Sequence, residues 1–242
     1  LYSSPTIILK NPQLPENIGM SARAMLNYGF IDLRIVKPKV RWPNKKSIAS
    51  SAGALNIINN TTKIYNFFDD ALEGIDVLFA TSVRNRDLEK FVISPKDAVR
   101  KINTKYKNAK IGFLFGPEKA GLKNRDLSEA NYIIQIPSNQ RFGSLNLAMA
   151  VNTECYEFFI NRIKKTNNNQ DTISKFVDKK KITLFKNYLI EILYEINYFN
   201  RENNDSKLET NVRNIFSRTM FTEKELLMLY GVIKGLKNYK NK

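Results

Sequence analysis

The chain has 242 residues, of which 43% are hydrophobic and 26% charged, enough for one large domain or for a domain of about 160 residues with an appendage. Lysine and arginine number 39 against 23 aspartates and glutamates, so the formal net charge is +16. The sequence has no histidine, which excludes Ser-His-Asp triads, Cys-His dyads, HExxH zinc sites and a histidine general base. The single cysteine, Cys155, excludes an internal disulfide and a multi-cysteine metal cluster, so we expect a reducing compartment and no metal.

The basic excess favours a polyanionic partner, with nucleic acid first and an anionic membrane surface second. A compositional bias towards lysine is the alternative explanation. The excess divides evenly between residues 1–160 and 161–242, so both halves could touch the same polyanion. Because no stretch approaches the roughly 18 apolar residues of a membrane span and no secretory signal is visible, we expect a soluble, cytoplasmic protein without membrane contact.

In the first half of the chain, apolar runs predict strands at 6–9, 33–36 and 76–80. Helical spacing predicts helices at 16–28, 45–55, 64–73 and 95–106. Gly29 is a natural stop for the first helix, and Ser94 is a natural N-cap for the last, with an acid three residues later at Asp97. The basic segment 37–46 contains two prolines and is predicted to be an exposed loop.

The second half has predicted strands at 111–115 and 132–136, a short helix at 124–129 and a long helix at 144–163 with Ser144 as its N-cap. Residues 164–180 are polar and rich in asparagine, which is typical of a linker. Beyond them a helix is predicted at 183–199, and Thr222 with Glu225 forms a capping box for the last helical segment. Strands that alternate with helices indicate an α/β fold with a mostly parallel sheet covered on both faces. We therefore divide the chain into a domain at 1–163, a linker at 164–180 and a helical extension at 181–242.

Three polar loops each follow a predicted strand: residues 11–19, which lead into Arg23, residues 115–122, and residues 136–147. Ligands bind at the carboxyl ends of the strands in open α/β sheets, so these loops are candidates for a common site. Each loop taken singly is also explained by ordinary turn residues. The stretch GPEKAGLK lacks the Lys-Ser/Thr of a phosphate-binding P-loop, which excludes an NTPase of that type.

The order and spacing of the three loops resemble a known family. Their sequences, NPQLPENIGMSARAM, FGPEKAGL and IPSNQRFGSLNLAMAV, are similar to the three motifs of the SPOUT superfamily of RNA methyltransferases, and within it of the TrmJ group. The resemblance covers residues 6–163, and the helical tail is similar in kind to that group's C-terminal extension. It implies a C-terminal trefoil knot around an S-adenosylmethionine pocket, a homodimer, and 2′-O-ribose methylation of tRNA at nucleotide 32 of the anticodon loop. Another tRNA position, ribosomal RNA as substrate, and a catalytically silent RNA-binding protein of the same fold remain alternatives.

The resemblance also assigns roles to residues. Arg23 matches the family's catalytic arginine, either as a base or as a clamp on phosphate and ribose; because arginine stays protonated, we favour the clamp. Ser144 matches a position that contacts the cofactor or the target ribose. The residues that match cofactor contacts are Thr81, Ser82, Val83, Gly116, Ile136, Gly143, Ser144 and Leu145. The residues that match substrate-positioning or structural positions are Asn17, Glu118 and Asn146.

This sequence departs from the family at Asn139-Gln140-Arg141, where the family has Asn-Pro followed by an acidic residue; the loss of the proline loosens the expected loop geometry. RNA contacts are expected where basic residues cluster around Trp42, whose ring can stack on a base. The expected RNA contacts of this cluster are Lys37, Lys39, Arg41, Lys45 and Lys46. Two more, Arg84 and Arg86, follow the predicted cofactor loop.

Overall fold

A computed structural model describes residues 4–83, 89–163, 176–199 and 206–240. Arg84 and Arg86, two of the predicted RNA contacts, lie outside the described residues, as does the predicted linker up to residue 175. The other predicted site residues are all described.

The described residues form a seven-stranded parallel sheet in the order β3-β2-β1-β6-β4-β7-β5. Its strands are β1 Thr6–Lys10, β2 Leu33–Val36, β3 Thr62–Tyr65, β4 Val77–Thr81, β5 Val92–Ile93, β6 Ile111–Phe115 and β7 Tyr132–Ile134. The central strands are apolar and buried on both faces, as parallel strands require. Because all strands run the same way, the loops after β1, β4, β6 and β7 emerge at one edge of the sheet.

Helices cover both faces of the sheet. The helices are α1 Pro15–Asn27, α2 Lys45–Ser50, α3 Ala54–Ile57, α4 Pro95–Thr104, α5 Asn124–Ser128, α6 Leu147–Ile163, α7 Lys179–Glu195, α8 Ser206–Arg218 and α9 Glu223–Lys240. One face buries apolar side chains of α1, α4 and α6, among them Met25, Val99 and Val151. The other face buries a second cluster that includes Leu72 and Leu127. The predicted α/β class is confirmed, while the trefoil knot stays a prediction.

The prediction of a helix at 64–73 is wrong. Residues Thr62–Tyr65 form the edge strand β3, which pairs in parallel with β2, and a single 3₁₀ turn follows at Asp70–Leu72. The apolar spacing over 64–73 favours a helix, whereas the β-branched residues at 62 and 64 favour a strand. Pairing with β2 in the folded protein selects the strand. The two-residue strand β5 has too short a pattern to be predicted at all.

The long helix α6 begins at Leu147, three residues later than predicted, and Ser144 is not its N-cap. The Asn146 side-chain oxygen instead accepts a hydrogen bond from the backbone N–H of Ala148 at 2.8 Å. Asparagine is as good an N-cap as serine, so the sequence contained two competing signals. The shift leaves Ser144 in the loop rather than at the helix start.

The C-terminal helices α7, α8 and α9 enclose a small core of their own around Val177, Phe185 and Leu226. The capping box at the start of α9 is confirmed, since the Glu225 carboxylate accepts from Thr222 N at 2.7 Å. Helix α7 begins earlier than predicted because the Asp178 carboxylate caps it by accepting from Lys181 N at 2.8 Å. Polar contacts join the extension to the sheet domain, among them the buried Lys186–Glu129 ion pair and the Thr183 hydroxyl, which donates to the Glu129 carboxylate at 3.1 Å.

Candidate functional site

A cleft at the carboxyl edge of the sheet brings most of the predicted cofactor contacts together. Of the predicted cofactor contacts, the wall contains Thr81, Ser82, Val83, Gly116, Ile136, Ser144 and Leu145. They come from the loops that follow β4, β6 and β7, whose carboxyl ends lie side by side because β4 is flanked by β6 and β7. Gly143 lies just behind this wall, since a Cβ placed there would be 3.2 Å from Val83 Cγ1.

Gly116 is the point at which the second loop folds tightly on itself. A Cβ at this position would lie 2.5 Å from the backbone nitrogen of Leu122 and 2.7 Å from the carbonyl carbon of Gly121. No side chain fits such a gap without moving backbone. The loop 116–122 therefore keeps its shape, and its place in the cleft wall, only with glycine at 116.

The three loops are joined by a hydrogen-bond chain of Glu118, Asn17 and Asn146. The Glu118 carboxylate accepts from the backbone of Gln13 at 2.8 Å, from the backbone of Leu14 at 3.1 Å, and from the Asn17 amide at 2.8 Å. The side-chain oxygen of Asn17 accepts a hydrogen bond from the side-chain amide of Asn146 at 2.9 Å. These side chains thus fix the loops relative to one another.

Arg23 lies on the exposed side of α1 and is not among the residues that line the cleft of its own chain. Its helix packs beside α6, as the ring of Tyr28 shows by its contacts with Tyr156 at 5.9 Å and Phe159 at 5.6 Å between centroids. The structure therefore does not bring the predicted catalytic arginine and the cleft together within one chain.

An apolar strip runs along α1 and α6 beside Arg23. It is made of the exposed side chains of Met20 on α1 and of Met149, Tyr156 and Phe159 on α6, whose spacings of seven and three residues place them on one face of that helix. Large apolar side chains in a contiguous strip are typical of surfaces that meet another protein.

The predicted basic loop is confirmed as an exposed loop that leads into α2. Its cations are all exposed, namely Lys37, Lys39, Arg41, Lys45 and Lys46. Trp42 is half-buried and packs against the main core, so its ring also anchors the loop. Lys46 is paired with Glu16 at the start of α1 at 3.2 Å.

Some residues of the cleft were predicted only as members of a loop or motif, without a role of their own. These are Phe115, Pro117, Lys119, Ala120, Gly121, Leu122, Leu147 and Ala150. Ile134 lies outside the three motifs, at the end of strand β7, and only its place in a predicted strand pointed to it. Phe142 stands out in the third loop because 82% of its surface is exposed, although it is a large aromatic residue.

Two properties of the described residues bear on the kind of site. They contain no cluster of three or more His, Cys, Asp or Glu residues that could hold a metal ion. Nor does any helix among them have the length and apolar character needed to cross a membrane.

Comparison with known proteins identifies relatives along nearly the whole chain. Residues 4–156 match the SpoU rRNA Methylase family. The chain is 31% identical over 239 residues to the tRNA (cytidine/uridine-2′-O-)-methyltransferase TrmJ of Photorhabdus laumondii, and the match covers 98% of each protein. Among solved structures it is similar to TrmJ from Z. mobilis, with a TM-score of 0.86, 32% identity, and coverage of 97% of this chain and 99% of that one. A probable methylase family protein from Haemophilus influenzae also matches, with a TM-score of 0.63 and 28% identity, over 100% of this chain and 99% of the other.

Proposed function

Since the chain belongs to the SpoU rRNA methylase family, and within it to the TrmJ group of RNA methyltransferases, we propose that it transfers the methyl group of S-adenosylmethionine to a ribose 2′-hydroxyl of tRNA, at nucleotide 32 of the anticodon loop. The observation that carries this proposal is that the second and third motifs line one cleft, while Asn17 of the first motif is hydrogen-bonded to both of them. The relative from Photorhabdus laumondii is named as a tRNA 2′-O-methyltransferase for cytidine and uridine, which supports the substrate.

The cleft has the chemistry that S-adenosylmethionine requires. Apolar side chains such as Leu122, Ile134 and Leu147 offer a surface for a flat adenine ring. The Ser144 hydroxyl has no hydrogen-bond partner among the described residues, so it is free to bind a polar group of the cofactor or of the target ribose. The glycine at 116 keeps the loop 116–122 folded into the cleft wall. When bound, the cofactor supplies a methyl group that its sulfonium charge already activates.

The protein's main task is then alignment of the 2′-hydroxyl with the methyl carbon, which supplies several kcal/mol of the barrier. The planar Arg23 guanidinium binds the phosphate and ribose of the target nucleotide through paired hydrogen bonds. Arginine stays protonated at neutral pH, so the hydroxyl proton passes to the phosphate or to water rather than to Arg23. Ser144, at the cleft wall, orients the ribose.

We propose that the protein acts as a homodimer in which the apolar strip of α1 and α6 packs against a second copy. The strip lies beside Arg23, so this pairing would bring the arginine of one subunit to the cleft of its partner and complete the site. Tyr156→Glu places a charge in the centre of the strip and is expected to yield monomers in sedimentation experiments. A dimer that persists in Tyr156→Glu and in Met149→Glu would overturn this arrangement.

Residues 1–163 form the proposed methyltransferase domain, and the helices that follow the linker at 164–180 form an RNA-binding extension at 181–242. The exposed basic loop around Trp42 lies beside α1 and supplies phosphate contacts. Such contacts make the binding of tRNA fall steeply with salt. A protein that modifies tRNA is expected in the cytoplasm.

The experiment that tests the substrate uses unmodified tRNA transcripts and a matched set that carries a 2′-deoxyribose at nucleotide 32 alone. After incubation with S-adenosylmethionine, nuclease digestion and mass spectrometry locate the methyl group. We expect a methylated ribose at nucleotide 32 in the first set and none in the second. Methylation at another nucleotide, or of ribosomal RNA, would move the substrate to the alternatives. No methylation of any RNA, with the cofactor bound, would favour the silent RNA-binding protein.

A further inference from the structure

A second cavity of about 410 Å³ lies beside the cofactor cleft, between the sheet domain and the C-terminal helices. The sheet domain supplies most of its wall, from the ends of β1 and β2 and from α5, and the extension adds Thr183, Asn187 and Arg213. Pro117, Ala120 and Gly121 line both this cavity and the cleft, so the two sites share a wall. A ligand in the second cavity would therefore contact the same loop as a ligand in the first.

Three cations of this wall have no carboxylate within ion-pair distance among the residues that the structure describes. They are Lys37, Lys123 and Arg125, all of them exposed. The other cations of the cavity are neutralised, since Lys10 pairs with Asp126 and Arg213 with Glu209. The three unpaired cations leave the cavity with a positive charge that suits an anion.

The acidic groups of the cavity do not cancel this charge. Asp126 is paired with Lys10, and Glu129 is held by the buried Lys186 ammonium. The third carboxylate of the wall is Asp69, whose pKa is raised by burial first and by the neighbouring Glu129 carboxylate second. Five cations of the wall, Lys10, Lys37, Lys123, Arg125 and Arg213, stand against these three carboxylates, so the cavity stays positive for an anion that enters.

An aromatic surface completes the cavity. Phe67 is 65% exposed, and its ring lies 5.2 Å from the Lys37 ammonium. Phe68 lies deeper, with the Lys10 ammonium 4.1 Å from its centroid. A large exposed aromatic ring beside unpaired cations is the combination that proteins use to stack a base while they bind its phosphate.

We propose that this cavity is a second nucleotide site, in which Phe67 stacks on a base and Lys37, Lys123 and Arg125 bind the adjoining phosphate. The ligand is a nucleoside phosphate, and the shared wall favours a nucleotide of the same RNA that enters the cofactor cleft. In that form the inference rests on the proposed function, because it takes RNA to be the substrate.

The test measures binding, so that it stays separate from methyl transfer. Full-length wild-type protein, Phe67→Ala and Phe67→Tyr are titrated with tRNA transcript over a range of salt concentrations, and S-adenosylmethionine binding is measured on each as a check of the fold. We expect Phe67→Ala to lose at least about fivefold in tRNA affinity and Phe67→Tyr to keep it, because tyrosine also stacks. The salt dependence of Phe67→Ala should equal that of wild type, since no charge has changed.

A triple variant, Lys37→Gln, Lys123→Gln and Arg125→Gln, is expected to weaken tRNA binding and to lower the slope of log affinity against log salt by about 2–3. Lys105→Gln is the matched control, because Lys105 is an exposed lysine at the end of α4, on the opposite face of the sheet. It should bind tRNA almost as wild type does.

Titration with 5′-AMP and with inorganic phosphate identifies the source of the ligand. Saturable AMP binding that Phe67→Ala abolishes would make the cavity a site for free nucleotides. Loss of tRNA affinity in Phe67→Ala without AMP binding would assign it to the RNA chain. If Phe67→Ala binds tRNA as tightly as wild type and AMP does not bind, the proposal is overturned, even where the triple variant weakens RNA binding. Absence of methyl transfer with these binding results intact would count against the proposed function alone.

Discussion

The side-chain amide of Asn17 donates a 2.8 Å hydrogen bond to the carboxylate of Glu118, a residue 101 positions further along the chain. Asn17 is buried, and its side-chain oxygen accepts a hydrogen bond from the side-chain amide of Asn146. One side chain therefore connects the first, second and third motifs. Residues that matched substrate-positioning positions of the family are in this structure engaged with one another, so we assign them the task of holding the loops.

The first prediction concerns this connection. Asn17→Ala leaves Glu118 without one donor and Asn146 without its acceptor, which costs about 1–3 kcal/mol of unfolding free energy. Urea denaturation measures this loss, and calorimetry should show weaker S-adenosylmethionine binding because the loops loosen. Asn27→Ala, on the exposed end of the same helix, is the control and should change stability by less than about 0.5 kcal/mol. Unchanged cofactor binding in Asn17→Ala would show that the loops hold their places without it.

The second prediction concerns the tight loop at Gly116. Gly116→Ala forces backbone at Gly121 and Leu122 to move, because the new methyl would lie 2.5 Å from Leu122 N. We expect a loss of about 1–3 kcal/mol in unfolding free energy, together with a marked loss of cofactor affinity. Gly231→Ala, an open position in α9, should instead stabilise the protein by about 0.5–1 kcal/mol and leave cofactor binding unchanged. If the two variants change unfolding free energy and cofactor affinity alike, the backbone of Gly121 and Leu122 does not crowd position 116.

The third prediction concerns Glu154, which is fully buried in α6 and has no hydrogen-bond partner among the described residues for either carboxylate oxygen. Burial, with a smaller effect of Glu157, raises the pKa of Glu154 from 4.5 to about 8. The folded protein therefore binds more protons than the unfolded chain between these values, and this residue lowers stability as the pH rises through them. Between pH 5 and 8 the free energy of unfolding of Glu154→Gln, measured by urea denaturation, should increase relative to that of wild type by at most about 1.4 kcal/mol per pH unit. A difference that does not change with pH would show that the carboxyl is not forced to ionise in the fold.

The fourth prediction concerns Lys179 at the base of the extension, which is buried beside Lys186. Burial first, and the Lys186 charge second, lower the pKa of Lys179 from 10.5 to about 7, while Glu129 and Asp76 partly offset this. Below pH 7 Lys179 is protonated in both the folded and the unfolded chain, so the fold carries the full free-energy cost of burying a charged ammonium. Between pH 7 and 10.5 the unfolded chain binds more protons than the folded one, so the free energy of unfolding rises with pH. Lys179→Met should therefore be more stable than wild type by about 1–4 kcal/mol at pH 6, with the gain shrinking towards pH 10.

Lys180→Met provides the comparison for Lys179→Met. Lys180 is the exposed neighbour and pairs with Glu73 at 3.0 Å, a contact that raises the pKa of its ammonium. It remains charged throughout the measured range, so the variant should show no comparable change between pH 6 and 9. A similar slope for both variants would mean that the burial of Lys179 is not the cause.

Much of the fold followed from local patterns, since the central strands are short apolar runs and Ser94, Thr222 and Gly29 marked element ends correctly. The family expectation of an RNA methyltransferase is confirmed by the match over residues 4–156. Edge strand β3 was missed because its pairing with β2 is a tertiary effect that spacing does not reveal. The separation of Arg23 from the cleft could not be predicted either, because it depends on how α1 lies relative to the loops that follow β4, β6 and β7. Nor does any sequence pattern show that Phe67, Lys123 and Arg213 line one cavity, since the extension must first dock on the sheet domain.

Transfer of labelled methyl from S-adenosylmethionine to unmodified tRNA tests both the proposed reaction and the role of Arg23, with wild type and Arg23→Ala compared and cofactor affinity determined on the same samples. We expect label on tRNA with wild type. With Arg23→Ala we expect a loss of transfer of at least about a hundredfold while cofactor affinity changes little, because Arg23 is proposed to bind the phosphate and ribose of the target nucleotide rather than the cofactor. Full transfer by Arg23→Ala, or no transfer by wild type that binds the cofactor, would contradict the proposed function.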